Sequence, residues 1–166
     1  MSRVLIISAD GLGAGKTTLA ARLGGAKFSF ADSIRHEMRE VMPDVNWFDK
    51  SQAGKLAVVR GTGGKTVRDL LIQVGQERRA ENPNYWVEKT AYLIQKFLAD
   101  WDSRHVPPVV VDDLRFLNEL AYFRDIFGDD LTHIHVSSPG ATPEPQYQNV
   151  ELAAVADYTV TWGDMK

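Results

Sequence analysis

Short apolar runs rich in β-branched residues alternate along this chain with longer segments of helical periodicity. The runs Val4–Ile7, Val109–Val111 and Thr132–Val136 suit strands that are buried on both faces of a sheet. Two weaker strand candidates are 27–31 and 158–162. Because a helical segment separates each strand candidate from the next, the sequence predicts an α/β fold with a parallel sheet.

Capping residues and helix breakers set the expected bounds of the helices. Thr66 with Asp69 has the form of a capping box, Asn82-Pro83 places proline at a first helical position, and Gly128 ends a helix. The expected helices are 17–23, a helix to about 41 that is capped by Asp32 or Ser33, helices from 66 and from 83, then 117–127 and 151–156. The segments 43–65 and 137–149 are expected to be loops, because glycine is frequent in the first and proline in the second.

The overall composition limits the class of protein. The chain has 166 residues, of which 44% are hydrophobic and 25% charged, and this fits one globular domain over residues 1–166. A net charge of -3 gives no bulk electrostatic reason to bind a nucleic acid polymer or a membrane. The sequence has no cysteine, which excludes disulfides and thiolate chemistry. Since no signal-like or membrane-spanning segment is found, we expect a soluble cytoplasmic protein.

The strongest local motif is the glycine-rich segment Asp10–Thr18, which follows the first strand candidate and opens a helix. Its glycines allow backbone amides to turn around an anion, and the helix N-terminus adds free N–H groups with partial positive charge. Lys16 is expected to reach the β- and γ-phosphates of ATP, and the Thr17 hydroxyl to ligate Mg²⁺. The expected phosphate-binding residues are Gly11, Gly13, Ala14, Gly15, Lys16, Thr17 and Thr18.

One position departs from the phosphate-loop pattern G-x-x-x-x-G-K-[ST]. Asp10 stands where the pattern has its first glycine, and Gly11 follows one place late. A carboxylate near phosphates would repel them, so Asp10 is expected to point away from the site or to face the metal. The alternative interpretation of the whole segment is a glycine-rich turn that binds no ligand.

A second polar group follows the strand candidate that begins at Val109. Asp112 and Asp113 can each supply the carboxylate that holds Mg²⁺ through water, but side chains alternate along extended backbone, so only one can face the nucleotide. The alternative is that one of them caps the next helix. Arg115 can pair with the carboxylate or reach a phosphate.

Two classes of protein fit such a loop: a nucleotide-hydrolysing switch or regulator, and a kinase of a small molecule. A GTPase would read guanine with an Asn-Lys-x-Asp element, which the sequence lacks. A kinase needs positively charged side chains that bind a second, anionic substrate. Six arginines can serve this purpose, and the alternative is that they are simply solvated residues on helix surfaces. The arginines between the first and third strands are Arg35, Arg39, Arg60, Arg68, Arg78 and Arg79.

Four blocks of sequence together resemble the phage-type deoxynucleoside monophosphate kinases, within the P-loop nucleoside monophosphate kinase superfamily. The blocks are Phe30–Arg35, Thr66–Glu77, Asn82–Val87 and Asp113–Glu119, and the resemblance extends over nearly the whole chain. The element V-R-x-L-L-x-x-x-G followed by P-x-x-W-V is the most specific part. The resemblance implies a three-layer α/β/α P-loop NTP hydrolase fold, with an adenylate-kinase-like core and a five-stranded parallel sheet. It also implies ATP and Mg²⁺ as cofactors, with transfer of the γ-phosphoryl to a dNMP to give dNDP and ADP.

The resemblance also implies roles for single residues. Arg35 and Arg68 would hold the acceptor phosphate, and Asp32 would orient that region or contact the sugar. Gln76 and Trp86 would lie near the acceptor base or its pocket wall. From the residues alone, Asp32 is equally a helix cap, Trp86 a core residue on an apolar stripe, and Gln76 an exposed helix residue. The implied catalytic set is Lys16, Asp113 and Arg115, with Thr17 and, through water, Asp113 as metal ligands.

The resemblance places an acceptor-binding region at about 32–105 and a lid at about 137–150. Kinases of this shape usually close a lid that carries arginine over the transferring phosphoryl, but this segment has no lysine or arginine. Either the lid only excludes water, or its cation comes from elsewhere, with Arg115 and Arg124 the nearest candidates. His133 and His135, on the strand before the lid, are expected to be structural.

Other reactions and the assembly state are left open by these patterns. The competing acceptors are a dephospho-coenzyme A-like molecule and a sugar acid, and the competing class is a regulatory P-loop ATPase. A homodimer is the expected assembly, because closed dimers are the commonest oligomers. If the chain is phage-encoded, it would act in the host cytoplasm.

Overall fold

Strands and helices alternate in the computed structural model of the chain, which describes residues 3–102 and 104–161. The predicted last strand reaches Trp162, which lies outside the described residues. The strands are β1 (Val4–Ala9), β2 (Gly11–Leu12), β3 (Ala26–Phe28), β4 (Val109–Val111), β5 (Leu131–Ser137), β6 (Thr142–Pro143) and β7 (Tyr158–Thr161). The helices are α1 (Lys16–Leu23), α2 (Phe30–Val41), α3 (Gln52–Leu56), α4 (Val67–Glu81), α5 (Tyr85–Ala99), α6 (Leu117–Phe127) and α7 (Asn149–Val155), with a 3₁₀ turn at Gly128–Asp130.

The main sheet has five parallel strands in the order β3-β4-β1-β5-β7. β1 is central, and its Val4 pairs with Val109 of β4 on one side and with Leu131 of β5 on the other. Because the strands run in the same direction, the loops that follow β1, β4 and β5 meet at one edge of the sheet. The residues expected to bind phosphate and metal lie in these loops.

Helices cover both faces of the sheet. On one face, Leu19 and Ala20 of α1 form an apolar cluster with Ile7, Val110 and Ile134. On the other face, α2 and α4 to α7 bury their apolar sides in a larger cluster. This arrangement confirms the three-layer α/β/α fold and the five-stranded parallel sheet. None of the described helices is long and apolar enough to cross a membrane.

Two helix starts show how side-chain caps decide the bounds. α2 begins at Phe30 because the Ser29 hydroxyl accepts the Asp32 N–H at 2.9 Å, so the cap lies three residues before Asp32 and four before Ser33, the two predicted caps. At α4 the predicted capping box is confirmed, since the Asp69 N–H donates to the Thr66 hydroxyl at 3.1 Å and the Thr66 N–H to the Asp69 carboxylate at 3.0 Å.

Other predicted bounds are corrected by local turns. α5 begins at Tyr85, after a turn in which the Asn82 side chain accepts the Asn84 N–H at 3.0 Å, so the proline of Asn82-Pro83 lies before the helix. Each of two segments expected to be loops contains a short element. These elements are α3, within 43–65, and β6, within 137–149.

Candidate active site

The phosphate loop lies between the end of β1 and the first turn of α1. Gly13 and Gly15 have positive φ angles of 79° and 100°, in the left-handed region that glycine adopts without steric cost. Gly15 is also the N-cap of α1, and as glycine it supplies no side-chain oxygen to accept the N–H groups of the first turn. Thr17 is exposed in that turn. The backbone here has the geometry of an anion-binding cradle.

A short antiparallel ladder joins the phosphate loop to the lid loop, which we define as residues 137–150. Gly11 and Leu12 of β2 pair with Pro143 and Thr142 of β6. A Cβ atom on Gly11 would overlap the Thr142 carbonyl oxygen, so this close approach requires glycine. The lid loop therefore lies directly against the phosphate loop.

Asp10, the residue that departs from the motif, is turned toward the end of β5. Its Oδ1 atom is 2.8 Å from Nε2 of His135, and its Oδ2 atom accepts the Ser137 hydroxyl at 2.8 Å and the Ser138 N–H at 2.9 Å. Burial alone would raise the pKa of the Asp10 carboxyl, but these hydrogen bonds outweigh it and lower the pKa. The carboxylate is thus engaged away from Lys16.

Lys16 lies among several charged side chains at the same edge of the sheet. Burial lowers the pKa of its ammonium, and the neighbouring Arg115 lowers it further, while Asp113, Glu144 and Asp112 act in the opposite direction. The ammonium group of Lys16 makes no hydrogen bond and no ion pair with any of the described residues. Two cations therefore lie near each other beside the cradle.

Arg115 is held in place by the lid loop. Its Nη1 atom donates to the Tyr147 hydroxyl, and its guanidinium carbon lies 4.4 Å from the centre of the Tyr147 ring. The Gln148 N–H donates to the Arg115 carbonyl oxygen at 2.9 Å. The buried Nε atom of Arg115 has no hydrogen-bond partner among the described residues. The lid loop has no cation of its own, but it positions one that stands outside it. Arg124, the other candidate, bonds instead to the Val155 carbonyl oxygen at 3.2 Å.

The two aspartates after β4 have different surroundings. Both oxygens of Asp113 accept backbone N–H groups at the start of α2, from Phe30 at 3.0 Å and from Ala31 at 3.1 Å. Burial raises the pKa of Asp113 in spite of these hydrogen bonds. Asp112 is half-buried and accepts no hydrogen bond among the described residues. Asp113 therefore accepts hydrogen bonds at the start of α2, an earlier helix in the chain and not the next one that the sequence offered as its alternative. The carboxylate oxygens of Asp112 have no hydrogen-bond donor among the described residues.

A buried glutamate, to which the sequence reasoning gave no role, shapes the turn that carries Arg115. Glu119 accepts the N–H groups of Arg115 at 2.9 Å and Phe116 at 3.1 Å through its Oε2 atom. The residue is 3% exposed, and burial raises its pKa to about 7. Glu119 stands at the N3 position of α6 and accepts the N–H of the N-cap residue Phe116, which is one half of a capping box. Phe116 has no side-chain acceptor for the other half, so the sequence carries no capping-box signal here.

Asp32 and Arg35, two of the residues expected in the acceptor site, lie together at the start of α2. Asp32 forms ion pairs with Arg35 at 2.9 Å and with Lys50 at 3.0 Å. Burial would raise the pKa of Asp32, but Lys50 and Arg35 outweigh it and lower the pKa. Lys50 belongs to the segment that follows α2, so this contact brings that segment back to the start of the helix.

The remaining acceptor candidates lie elsewhere on α4 and α5. Arg68 and Gln76 are exposed on α4. Trp86 is 1% exposed, and its Nε1 atom donates to the Gly75 carbonyl oxygen at 3.1 Å. Its indole is packed in the core and presents no face to a pocket.

A cavity of about 740 Å³ lies between the C-terminal end of α2 and the segment that leads into α4. Its lining includes Val41, Val58, Arg60 and Val67, and none of the charged residues around Lys16. α2 has 12 residues and spans about 18 Å, so the cavity and the start of α4 lie at the opposite end of α2 from Asp113. The structure therefore does not bring Arg68, at the start of α4, together with Lys16.

Adjacent arginines on α4 have different partners. Arg78 forms an ion pair with Glu37 at 3.0 Å, which ties α4 to α2. Arg79 is half-buried and makes no hydrogen bond or ion pair among the described residues. It lies close enough to Glu119 to oppose the rise of that residue's pKa. The sequence named both arginines without separating them, and the structure distinguishes Arg79 as the unpaired one.

Comparisons with known proteins add to this picture at the level of the fold. No family model matches the chain, and no curated protein matches its sequence. Among solved structures, TT1252 from Thermus thermophilus matches with a TM-score of 0.54 at 17% identity, over 96% of this chain and 88% of that chain. A dephospho-CoA kinase from Campylobacter jejuni matches with a TM-score of 0.48 at 16% identity, over 99% of this chain and 92% of that one. This chain has a P-loop NTPase fold.

The oxygen donors beside the P-loop fit Mg²⁺. Thr17 offers a hydroxyl and Asp112 a carboxylate with no hydrogen bond among the described residues. Mg²⁺ prefers oxygen ligands and usually keeps several waters while it binds one or two carboxylates and substrate phosphates. No group of three or more His, Cys, Asp or Glu side chains that could hold a metal occurs in the part of the chain that the structure describes. With so few protein donors, an ion held here would need further ligands from water or from a bound phosphate.

Proposed function

We propose that the protein is an ATP-dependent kinase whose acceptor is a deoxynucleoside monophosphate. The observation that carries this proposal is the approach of Lys16 and Arg115 beside the glycine cradle, while Lys16 has no carboxylate partner among the described residues. Like charges repel, so two cations at one site favour an anionic ligand between them. The terminal phosphate of ATP is such a ligand.

In the proposed reaction, the protein contributes by positioning the two substrates and by neutralising the charge of their phosphates. The attacking atom would be a phosphate oxygen of the acceptor, which is ionised near neutral pH, so no strong general base is needed. Lys16 would bind the β- and γ-phosphates, and Arg115 would approach the transferring group. Bound Mg²⁺ would neutralise further charge, held by Thr17 and, through water, by Asp112 in place of Asp113.

The lid loop has two parts in this proposal. Tyr147 fixes the direction of Arg115, and the pairing of β6 with β2 covers one side of the phosphate loop. Such cover excludes water, which would otherwise compete with the acceptor for the phosphoryl group. Arg115 thereby takes the place of the lid arginine that the resemblance leads one to expect.

For the acceptor phosphate we add Arg79 to the residues implied by the resemblance. Arg79 is half-buried and has no partner among the described residues, whereas Arg35 is already paired with Asp32. Arg68 stays a candidate that would need a movement of α4 toward the P-loop. Gln76 stays a candidate for the base, and Trp86 supports the packing of α4 on α5. The choice of a deoxynucleotide rests on the four sequence blocks of the resemblance.

The test is ADP release in a coupled assay with ATP, Mg²⁺ and a panel of acceptors. The panel contains the dNMPs, the NMPs, dephospho-coenzyme A, a sugar acid and no acceptor. We expect release to depend on a dNMP, and Lys16→Ala to retain less than about a tenth of the wild-type activity. Release without any acceptor would favour an ATPase and contradict the proposal, and dependence on another acceptor would correct the substrate.

The same assay tests the acceptor residues. We expect Arg79→Ala and Arg68→Ala to raise the acceptor KM about tenfold or more while the ATP KM changes little, since each would remove one charge-assisted hydrogen bond. Arg104→Ala, an exposed change remote from the site, is the control. Equal effects on both KM values would reject the assignment for that arginine.

A further inference from the structure

A chain of polar side chains runs from Asp10 into the interior between β1 and β5. Nε2 of His135 is 2.8 Å from Oδ1 of Asp10, and Nδ1 of the same ring is 2.8 Å from the Ser8 hydroxyl. That hydroxyl is 2.7 Å from Nε2 of His133. Ser8 and the two histidines are at most 1% exposed. Residues two apart on a strand share a face, which is why these side chains meet.

The direction of each hydrogen bond follows from the chemistry of the groups. The Asp10 carboxylate can only accept, so the Nε2 atom of His135 donates to it. In a neutral ring, Nδ1 of His135 is then an acceptor, and it takes the single proton of the Ser8 hydroxyl. The Ser8 oxygen in turn accepts from Nε2–H of His133. All three bonds therefore point from His133 toward Asp10.

The far end of the chain agrees with this direction. If Nε2 of His133 carries the proton, its Nδ1 atom is a bare acceptor, and that atom is buried without a partner among the described residues. The opposite direction would place an unpaired N–H there, and a buried polar hydrogen without an acceptor costs free energy. Burial lowers the pKa of His133 to about 4, so the ring is neutral near pH 7.

Asp10 connects this chain to the loops of the site. Its second carboxylate oxygen accepts from Ser137 and Ser138, where the lid loop begins. Its own N–H donates to the Val136 carbonyl oxygen at 3.0 Å. The next residue, Gly11, opens the ladder with the lid loop. One carboxylate thus joins the end of β1, the phosphate loop and the start of the lid loop.

We propose that His133, Ser8, His135 and Asp10 form a one-way hydrogen-bond chain that holds the phosphate loop against the start of the lid loop. In this scheme His135 and Asp10 are positioning residues, and the side chain of Asp10 supplies an anchor that glycine could not. The consequence for ATP binding rests on the proposed function, whereas the directions of the hydrogen bonds do not. The other charged groups that face the hydrogen-bond chain are Asp157, which accepts the backbone N–H of His133 at 2.8 Å, and Arg124.

The proton positions can be measured directly by NMR of the imidazole ¹⁵N nuclei near pH 7. We expect both buried histidines to carry the proton on Nε2. In Asp10→Asn, the side-chain NH₂ group replaces one acceptor oxygen and would face Nε2 of His135, which must then accept a hydrogen bond. Every hydrogen bond of the chain would reverse, so both rings would carry the proton on Nδ1. A wild-type ring with its proton on Nδ1 alone, or a charged ring at either His133 or His135, would overturn the one-way chain.

Two variants of His135 separate positioning from packing. The amide nitrogen of Gln reaches the place of Nε2 and can still donate to Asp10, whereas the shorter Asn replaces only Nδ1. We expect the Ser138 N–H to exchange with solvent about tenfold or more faster in His135→Asn than in His135→Gln, because a hydrogen bond to a charged group is worth about 1.5–3 kcal/mol. The affinity for ATP, measured without an acceptor, should fall by a similar factor in His135→Asn alone.

Far-UV circular dichroism establishes that each variant is folded. Equal exchange in both variants would overturn the positioning role, even if ATP binds. If the wild-type protein binds no ATP but the exchange rates differ as expected, the proposed function fails and the hydrogen-bond chain stands. Ser8→Ala gives a second measurement, because it removes the hydroxyl that links the two rings and leaves Asp10 in place. The tautomer of His133 should then no longer depend on the tautomer of His135.

Discussion

At the scale of single residues, burial sets the charges of this site as strongly as neighbouring ions do. It lowers the pKa of Lys16 and raises those of Asp113 and Glu119. Glu119 differs from the other two because it supports the site from behind, where it accepts a hydrogen bond from the backbone N–H of Arg115. Its titration should therefore be visible in the stability of the fold.

The Glu119→Gln variant tests this titration. Its pKa is about 7 in the folded protein against 4.5 for an unperturbed glutamate, so the folded state binds the proton more tightly. Stability from this group is therefore present below pH 4.5 and lost as the pH rises to 7, by up to about 3 kcal/mol. Gln keeps the acceptor oxygen and does not titrate, so the wild type should lose stability relative to Glu119→Gln between pH 5 and pH 8.

Urea unfolding at both pH values measures the difference. Glu77→Gln, an exposed change on α4, controls for the loss of one negative charge. Parallel pH profiles for the wild type and Glu119→Gln would contradict a raised pKa at this position.

The residues also show what can be predicted without coordinates. The capping box at Thr66 and Asp69 is local, with both partners three positions apart, and it was predicted correctly. The direction of Asp10 depends on His135, 125 positions away, and no local pattern contains that information. The choice between Asp112 and Asp113 likewise depends on where the start of α2 lies in space.

At the scale of elements, the contact between β2 and β6 decides how the lid loop is placed. The β-branched runs of β1, β4 and β5 were predicted because each is buried along its length. β6 was predicted as loop, because a two-residue strand with proline has no periodicity to read. β6 is recognised only in the structure, where it pairs with Gly11 and Leu12.

Gly11→Ala tests this contact. The added methyl group would overlap the Thr142 carbonyl oxygen, so the ladder should open and the lid loop should move away. We expect faster cleavage of the lid loop by a protease and an ATP KM raised about tenfold or more, since one backbone interaction and the cover of the loop are lost.

Gly140→Ala is the matched control, since its methyl group would meet only the Ser138 hydroxyl at 4.0 Å, an ordinary contact. If both variants behave like the wild type, the ladder does not hold the lid loop.

At the scale of the whole molecule, the acceptor-binding region and the sheet share one core. Trp47 and Trp86 of that region belong to the same apolar cluster as Val4 and Ile6 of the central strand. A shared core argues for one cooperative unit, which keeps the single domain over residues 1–166 as our prediction.

Chemical unfolding tests this cooperativity. The sequence has four tryptophans, so Trp101 and Trp162 are replaced by Phe for this experiment. The fluorescence of Trp47 and Trp86, each 1% exposed, then reports on the acceptor-binding region, while far-UV circular dichroism reports on all helices and strands. We expect the two signals to give one coincident transition in urea. A fluorescence midpoint clearly below the circular dichroism midpoint would show that the acceptor-binding region unfolds separately.

The Asp10 carboxylate should also couple the evolution of residues that lie far apart in the sequence. Glycine at that position would leave His135 without its acceptor, and selection would then favour apolar residues in place of His133, His135 and Ser8. Homologues should therefore fall into two self-consistent groups, one with the acid and its polar partners and one with neither. A motif search that insists on glycine at the first position of the loop would overlook the first group.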